Sequence, residues 1–322
     1  MEERQPLFQF RIPATSQQVV VGRNAEEHLI DTFHTDGFVV FPEALSLSLV
    51  DAMTERLEQV LRGHYDRGTH PDKAPRLIQK ARRHQGPLGF TGNLQNVKVL
   101  QIINMHKCDT LFRTICTDPA LGQQVATLAG WKYGARLAQD QVWAKPPGAA
   151  ALVFHRDSPY FMFTPPDVVT VWLALDDMDA TLGPLEYVKG SHMWGDGRIG
   201  TSNQFFAANG GMTLLKSAAA REGIVDLDFV SMAGLKAGGI SIHHGRTWHG
   251  SGKNTSTTRP RRGLGIHFVP AEVRFTSDAS KSRLWRHFVN GVEDPTHMDL
   301  PYEDFPVTWQ PPCISEDLKI VM

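Results

Sequence analysis

The stretches VFHRDSPYF, residues 153–161, and TWHGSGKNTSTTRPRRGLGIHF, residues 247–268, carry most of the information in this sequence. In the first stretch, His155 and Asp157 are two positions apart, so a β-strand would point both side chains to one face. His249, in the second stretch, would bring another imidazole from a distant part of the chain. Two imidazoles and one carboxylate on one face of a metal ion leave its remaining coordination positions open. The sequence therefore predicts a metal site carried by β-strands.

Several histidines compete for the role of the third ligand. His249 is favoured because it stands directly before Gly-Ser-Gly, where a strand would end at the mouth of a barrel. His243 and His244 lie in the apolar-flanked strand GGISIHHG, where at least one of them is expected to pack or to support a ligand. His267 lies nearby as well, and His155 with Asp157, taken alone, would fit an ordinary strand-end pair equally well. As a set, two histidines and one carboxylate are diagnostic of non-haem Fe(II) oxygenases.

An arginine after the second histidine would let such an enzyme hold the far carboxylate of 2-oxoglutarate through a bidentate pair. Strand alternation places Arg261 on one face with Gly263 and Gly265, and Arg262 on the other. The face of Arg262 continues with the apolar residues Leu264, Ile266 and Phe268. A slender ligand lying along the strand needs small neighbours, so Arg261 is predicted to face the pocket. Arg259, before a proline, is predicted to be a solvated turn residue.

The segment VVTVWLAL, residues 168–175, shows the same alternation. One face of the predicted strand is entirely apolar and is expected to lie in the core: Val169, Val171, Leu173 and Leu175. On the opposite face, Trp172 is flanked by two small residues, Thr170 and Ala174. Its indole would fit the wall of a cofactor pocket or a buried core position, and the pattern leaves both interpretations open.

Composition excludes several classes of protein. With 33 basic and 34 acidic residues, the net charge of −1 argues against nucleic acid or an anionic membrane as the main partner. The three cysteines, Cys108, Cys116 and Cys313, have no paired spacing and are interpreted as free thiols of a reducing compartment. The sequence shows no transmembrane run, no signal peptide and no peroxisomal C-terminus, so a cytoplasmic protein is expected. The sequence leaves open whether the protein forms a homodimer.

The 322 residues are predicted to form one domain. Residues 1–134 are expected to be mostly helical support, with helices at 25–35 and 46–62 and a helix start at Asp118-Pro119. Between the first two helices, the apolar run GFVVFP predicts a short strand that ends at Pro42. From residue 135 to 270, short strands separated by Gly and Pro turns predict an antiparallel sandwich or jelly roll. The predicted strands are 136–145, 151–157, 168–176, 184–188, 238–244 and 262–269. The Gly-rich insertion 195–235 is predicted to be a lid, and 271–322 a C-terminal extension packed outside the sheets.

These motifs resemble the phytanoyl-CoA dioxygenase family of Fe(II)/2-oxoglutarate-dependent oxygenases, from FHTDGFVVFPEALS near residue 33 to about residue 270. The stretches that carry the resemblance are QDQVWAKPPGAAALVFHRDSPYF, VVTVWLALDD, GPLEYVKGSHMWGD and HGSGKNTSTTRPRRGLGIHF. The resemblance implies a mainly β fold with flanking helices, built on a double-stranded β-helix, the cupin-like jelly roll. It also implies Fe(II), the co-substrate 2-oxoglutarate and O₂ as cofactors.

Carried over position by position, the resemblance implies iron ligands at His155, Asp157 and His249. The residues that it implies for 2-oxoglutarate are Arg261, Gln141, Trp172 and Gln101. The segment between His249 and the arginines is one residue longer than is usual in the family. Counting alone would therefore reach Pro260, and Arg261 is preferred partly because of the face on which it lies.

The implied reaction is oxidation of a small-molecule substrate, with release of succinate and CO₂, and hydroxylation is the expected outcome. Asp157 is intact, whereas halogenating relatives carry a small residue at that position. The same chemistry could instead give desaturation, rearrangement or ring formation in the biosynthesis of a natural product. A metal cupin of another type or a catalytically silent binding protein are further alternatives, the first of which leaves Arg261 without a role. Tyr160, Phe161 and Phe163 are expected to line the substrate pocket, but they do not identify the substrate.

Overall fold

The structure is a computed structural model that describes residues 7–10, 25–75, 99–195 and 212–312. Seven helices lie within these ranges: α1 Ala25–Asp36, α2 Leu47–Leu61, α3 Met105–Cys108, α4 Thr110–Cys116, α5 Pro119–Ala129, α6 Thr213–Arg221 and α7 Arg286–Val289. The strands are β1 Phe38–Phe41, β2 Leu100–Ile103, β3 Ala135–Lys145, β4 Leu152–His155, β5 Phe163–Thr164, β6 Val169–Ala174, β7 Leu185–Val188, β8 Phe229–Ser231, β9 Ile240–His244, β10 His249–Ser251, β11 Arg261–Pro270, β12 Arg274–Phe275 and β13 Val307–Trp309. Each of the six strands predicted between residues 136 and 269 is present within two residues of its expected bounds.

Two antiparallel sheets form the body of the molecule. The larger sheet has seven strands in the order β1-β9-β6-β11-β3-β13, with β2 also paired to β3. The smaller sheet has four strands in the order β4-β10-β7-β8. Apolar side chains from both sheets share one cluster, in which Phe38 and Trp172 of the larger sheet meet Leu185 and Tyr187 of the smaller one. The sheets therefore pack face to face, as the predicted jelly roll requires.

The main core lies on the outer face of the larger sheet, under the helices. Leu264, Ile266 and Phe268 of β11 are completely buried there. The apolar stripe of α2, which includes Met53 and Leu57, packs into the same cluster. The predicted division of β11 into an apolar outer face and a glycine-bearing inner face is thus what the sheet requires.

The helix ends are stabilised as the sequence predicts. The Asp118 carboxylate accepts hydrogen bonds from the first turn of α5, and Pro119 occupies its first position. The helix ends at Gly130, whose φ of 69° is the left-handed conformation that glycine adopts at low cost. Ser46 caps α2 by accepting a hydrogen bond from the Leu49 backbone N–H.

The terminal regions take a larger part in the sheet than the predicted layout assigned to them. β1 and β2, from the expected helical support, and β13, from the expected C-terminal extension, all pair within the larger sheet. The C-terminal region also closes a second aromatic core, in which Trp285 and Phe305 pack on Phe163 and Phe275. These pairings join parts of the chain that are far apart in sequence, so no local pattern indicated them.

Within the insertion 195–235, residues 196–211 lie outside the described part of the chain. The described remainder includes α6, which packs against Phe154 and Trp248. Phe154 alternates with His155 along β4, so this contact lies on the face of the small sheet opposite to His155.

Cys108 and Cys116 are buried free thiols, as predicted, whereas Cys313 falls outside the described residues. Among the helices that the structure describes, none combines the length and apolar composition needed to cross a bilayer.

The burial of Phe268 predicts a large cost for its truncation. Phe268→Ala should lower the free energy of unfolding by about 3–5 kcal/mol, because the residual cavity adds to the lost transfer free energy. Leu47→Ala is the control, since Leu47 is 64% exposed and its truncation should change stability by no more than about 0.5 kcal/mol. Urea denaturation of both variants measures the difference, and equal midpoints would contradict the assigned faces of β11.

Candidate metal centre and co-substrate cavity

Three potential metal ligands meet where β4 and β10 pair. His155, the last residue of β4, is the direct antiparallel partner of His249, the first residue of β10. Asp157 follows β4 immediately and is fixed by its backbone N–H, which donates to the Gly245 carbonyl at 2.8 Å. One ligand atom from each of the three side chains lies within 4.8 Å of the others. The structure thus brings together the three residues that the sequence proposed as a set.

Hydrogen bonds fix the tautomer of both imidazoles. His155 Nδ1 donates to the Val153 carbonyl and His249 Nδ1 to the Thr247 carbonyl, each at 2.9 Å. A proton on Nδ1 leaves the lone pair on Nε2. The two Nε2 atoms lie 3.7 and 3.6 Å from Asp157 Oδ1. The donor set of two neutral imidazoles and one carboxylate therefore fits a divalent transition metal.

The second oxygen of Asp157 is held by the protein. Asp157 Oδ2 accepts hydrogen bonds from Thr170 Oγ1 at 2.6 Å and from His243 Nε2 at 3.2 Å. His243 Nδ1 accepts in turn from the Tyr187 hydroxyl at 2.9 Å. These contacts turn Oδ1 toward the two ligand histidines. The sequence indicated a supporting role for His243 or His244, but it gave no signal for Thr170 or Tyr187.

The electrostatics of the cluster favour metal binding. Burial would raise the pKa of Asp157, but the neighbouring imidazoles of His249, His243 and His267 outweigh it and hold the pKa well below its usual value. Burial, and next the charge of His249, lower the pKa of His155 to about 3. Burial likewise lowers the pKa of His243 to about 4. Near neutral pH the carboxylate is therefore ionised while the imidazoles of His155 and His243 are neutral, which is the state that ligation needs.

A cavity of about 470 Å³ opens above the three ligands. Its wall includes Gln101, Gln141, Trp172 and Arg261, the residues predicted for the co-substrate, and also Tyr160 and Phe161. Residues that sequence reasoning did not assign to the pocket also line it: Lys73, Ile103, Gln139, Trp143, Leu152, Leu185, Arg283 and Leu284. None of the described residues of the insertion 195–235 lines this wall, and because residues 196–211 lie outside the described part of the chain, the lid stays a prediction.

Phe163 differs from the prediction that it lines the pocket. The chain turns through Ser158–Tyr160, and Phe163 then pairs with Phe275 across β5 and β12. Phe163 is 1% exposed and packs in the second aromatic core against Trp285. A local run of aromatic residues near the ligands could not reveal this change of direction.

Arg261 lies inside the cavity and Arg262 outside, as strand alternation predicts. Arg261 is 1% exposed, and its guanidinium lies 5.5 Å from the Trp172 ring. Its Nε donates to the Gly183 carbonyl at 3.3 Å, whereas its buried Nη1 finds no acceptor among the described residues. Arg262 instead forms a two-bond ion pair with Asp176. A buried guanidinium with an unused donor fits a carboxylate ligand.

Hydrogen bonds connect the cavity mouth to the metal ligands along one wall. Lys73 donates to Gln101 at 2.6 Å, and Gln101 donates to Gln141 at 2.7 Å. Gln141 Nε2 lies 3.4 Å from His267 Nε2 and also donates to Gln139. The Thr170 hydroxyl, 2.8 Å from His267 Nδ1, links this chain to Asp157. The predicted co-substrate contact Gln141 is therefore engaged on both sides of its amide. Strand alternation from Arg261 already places its neighbour His267 on this face, whereas the sequence did not assign Lys73 to this wall.

A family model for phytanoyl-CoA dioxygenase (PhyH) matches residues 33–263 of this chain. A protein of Arabidopsis thaliana named phytanoyl-CoA dioxygenase is 22% identical over 261 residues, covering 76% of this chain and 88% of that protein. The solved structure of SnoN, a non-haem α-ketoglutarate-dependent epimerase from nogalamycin biosynthesis, is similar with a TM-score of 0.64 and 20% identity, covering 90% of this chain and 98% of SnoN. The carbocyclase SnoK from the same biosynthesis gives a TM-score of 0.62 and 21% identity, covering 92% of this chain and 99% of SnoK. These two similarities show a shared fold.

The inner face of β11 predicts opposite results for two glycines. A Cβ on Gly263 would lie 2.7–2.8 Å from the Trp172 indole, whereas a Cβ on Gly265 would meet its nearest atoms at 3.8 Å. Gly263→Ala should displace the indole, reduce the near-ultraviolet circular dichroism and cost about 1–3 kcal/mol of stability. Gly265→Ala, the matched control, should preserve the spectrum. An unchanged spectrum for both variants would contradict the close packing of Trp172 on this strand.

Proposed function

The chain belongs to the phytanoyl-CoA dioxygenase family, and from this premise we propose that it oxidises a small molecule with Fe(II), 2-oxoglutarate and O₂. Hydroxylation is the proposed outcome. One observation carries the proposal: the set His155, Asp157 and His249 shares a single cavity with the buried guanidinium of Arg261. A metal alone would need only the three ligands. The additional cation supports a carboxylate-bearing co-substrate.

In the proposed mechanism, the imidazoles of His155 and His249 and the Asp157 carboxylate hold the metal on one face. When bound, Fe(II) would activate O₂, and 2-oxoglutarate would supply two of the electrons that reduce O₂, leaving as succinate and CO₂. Arg261 binds the carboxylate of 2-oxoglutarate that is distant from the metal, and the Trp172 indole, beside that guanidinium, keeps water from it. These roles separate the chemistry at the metal from the orientation of the co-substrate.

The outer contacts of the site keep its geometry fixed. Thr170 and His243 hold Asp157 Oδ2, which supports monodentate ligation through Oδ1. The backbone carbonyls of residues 153 and 247 keep both imidazoles in the tautomer that ligation requires. These contacts hold the donor atoms of His155, Asp157 and His249 in place, so that a metal would bind with little rearrangement of the side chains.

The cavity supports a small molecule as the substrate. Its volume of about 470 Å³ is in the range of small-molecule sites, and the aromatic rings of Tyr160, Phe161 and Trp143 form part of the wall. The presence of Asp157 supports oxygen insertion over halogenation.

A second candidate outcome is rearrangement or ring formation. The structural relatives SnoN and SnoK are named an epimerase and a carbocyclase, so the same fold also serves reactions that do not end in hydroxylation. Incubating the Fe(II)-loaded protein with 2-oxoglutarate and panels of small molecules tests the proposal by succinate formation. Mass spectrometry of the consumed compound then decides between a gain of one oxygen atom and an isomer.

Loss of any one ligand should abolish the reaction. His155→Ala, Asp157→Ala and His249→Ala are each expected to remove bound iron and succinate formation while the protein still folds, because two ligands cannot hold the open-faced site. Iron content and circular dichroism provide the measurements. His244→Ala is the control, since His244 lies near Asp167 and outside the cavity wall. Stoichiometric iron with normal turnover in one of the three variants would remove that residue from the ligand set.

Replacement of Arg261 should weaken 2-oxoglutarate binding without affecting iron. Arg261→Ala strands the buried carboxylate at a cost of about 2–5 kcal/mol, so the affinity should fall by about 30- to several thousand-fold. Arg262→Ala should change this affinity only a few-fold, because Arg262 is engaged by Asp176 on the other face. Anaerobic titration of 2-oxoglutarate, followed by the visible charge-transfer band, compares the two. The reverse result would show that the assigned faces are exchanged.

A further inference from the structure

A second buried cation lies beside Arg261. Lys145, the last residue of β3, is completely buried and is the direct antiparallel partner of Arg261 in the β3–β11 pair. Among the described residues, no carboxylate forms an ion pair with either side chain. Neither composition nor spacing singled out Lys145. Two buried basic groups that face each other would be costly if both were charged, so the pair requires an explanation.

The two basic side chains donate hydrogen bonds to neighbouring parts of the backbone. Lys145 Nζ donates to Ser251 Oγ at 2.7 Å and to the Gly252 carbonyl at 2.6 Å. Arg261 Nε donates to the Gly183 carbonyl. The two glycines are in direct contact, since a Cβ on Gly183 would lie 2.2 Å from the Gly252 oxygen. The amine and the guanidinium are therefore held at the same end of the cavity by two segments that pack against each other.

The hydrogen bonds of Lys145 also suit an uncharged amine. A neutral amine has two N–H donors, and Ser251 and Gly252 accept both. Burial, and next the charge of Arg261, lower the pKa of Lys145 well below its usual value. Arg261 keeps its charge, because burial lowers its pKa only to about 10. The resting site thus holds one charged group and one group that can accept a proton.

We propose that Lys145 is a positioning residue for the co-substrate. Its amine takes up one proton from solvent when the distal carboxylate of 2-oxoglutarate binds at Arg261. This inference rests on the proposed function. The proton bonds to the Nζ lone pair, and the ammonium then adds a second positive charge behind the guanidinium. Lys145 does not line the cavity, so it acts on the carboxylate through its charge and through the junction that it shares with Arg261.

The sign of the pH dependence follows from the charges around Lys145. Arg261 on β11 opposes protonation, whereas Glu186 on β7 favours it, and Ser251 on β10 is uncharged. A bound carboxylate favours the ammonium and so raises the pKa of Lys145 toward its usual range. Binding and protonation reinforce each other, and the affinity for 2-oxoglutarate should therefore fall as the pH rises from the pKa of Lys145 in the free site to its raised pKa in the bound site.

Calorimetric titration of the Fe(II)-loaded protein under anaerobic conditions tests this inference. Measuring 2-oxoglutarate binding in phosphate and in Tris, whose ionisation enthalpies differ, gives the number of protons taken up. The wild-type protein should take up a substantial fraction of one proton. Lys145→Met should lose this uptake and the corresponding pH dependence, and should bind about 10- to 100-fold more weakly. Lys253→Met, which removes an exposed lysine next to Gly252, is the matched control and should behave as wild type.

Each outcome has a distinct meaning. A wild-type protein that does not bind 2-oxoglutarate overturns the proposed function itself. Binding without proton uptake in the wild type overturns the present inference, and this result needs no variant even if Lys145→Met fails to fold. Weaker binding by Lys145→Met with unchanged proton uptake also overturns it, because Lys145 would then have only a structural role. Loss of uptake in Lys145→Met alone supports it.

Discussion

Strand β11 packs in the main core with one face and lines the cavity with the other, and the rest of the molecule is arranged around this constraint. It lies between β3 and β6, and its outer side chains anchor the helical layer to the larger sheet. Its inner face carries Arg261, Gly263, Gly265 and His267, and the absence of a side chain at Gly263 lets the Trp172 indole pack beside Arg261. A shift of register by one residue would place the guanidinium among aliphatic side chains and Leu264 in the cavity. The same ten residues of β11 therefore contribute both to the main core and to the wall of the cavity.

Local alternation explains why much of the fold and the site could be predicted. The period of two in β6 and β11 separates core from cavity without reference to any other segment, and the cap at Asp118 is equally local. The set of His155, Asp157 and His249 was recognisable because two of its members share one strand end. The features that the sequence did not predict depend on contacts between segments that are distant in sequence. β13, from the C-terminal region, pairs with β3 at the edge of the larger sheet. Thr170 meets Asp157, and Tyr187 meets His243, because the two sheets pack together.

The site combines rigid positions with opposite charges that are kept apart. Asp157 lies beside the imidazoles of His155 and His243, whose pKa values burial lowers, while Lys145 and the guanidinium of Arg261 lie near the junction of Gly183 and Gly252. The proposed co-substrate would span these two environments, with one end at the metal and the other at the guanidinium. The positive charge of Arg261 thus lies where the distal carboxylate of the proposed co-substrate would bind. The bound co-substrate would then neutralise this buried charge and stabilise the fold.

In the series of hydrogen bonds that links Lys73 to Asp157, the order of donors and acceptors is fixed. An ammonium at one end can only donate, and an ionised carboxylate at the other can only accept, so every amide and hydroxyl between them is oriented by the ends. A molecule that touches this wall meets a fixed pattern of donors and acceptors. A candidate substrate and its mirror image, or an alcohol and the corresponding ketone, would not match this polarity equally. The arrangement of donors and acceptors on this wall is therefore determined at its two ends, by Lys73 and by the carboxylate of Asp157.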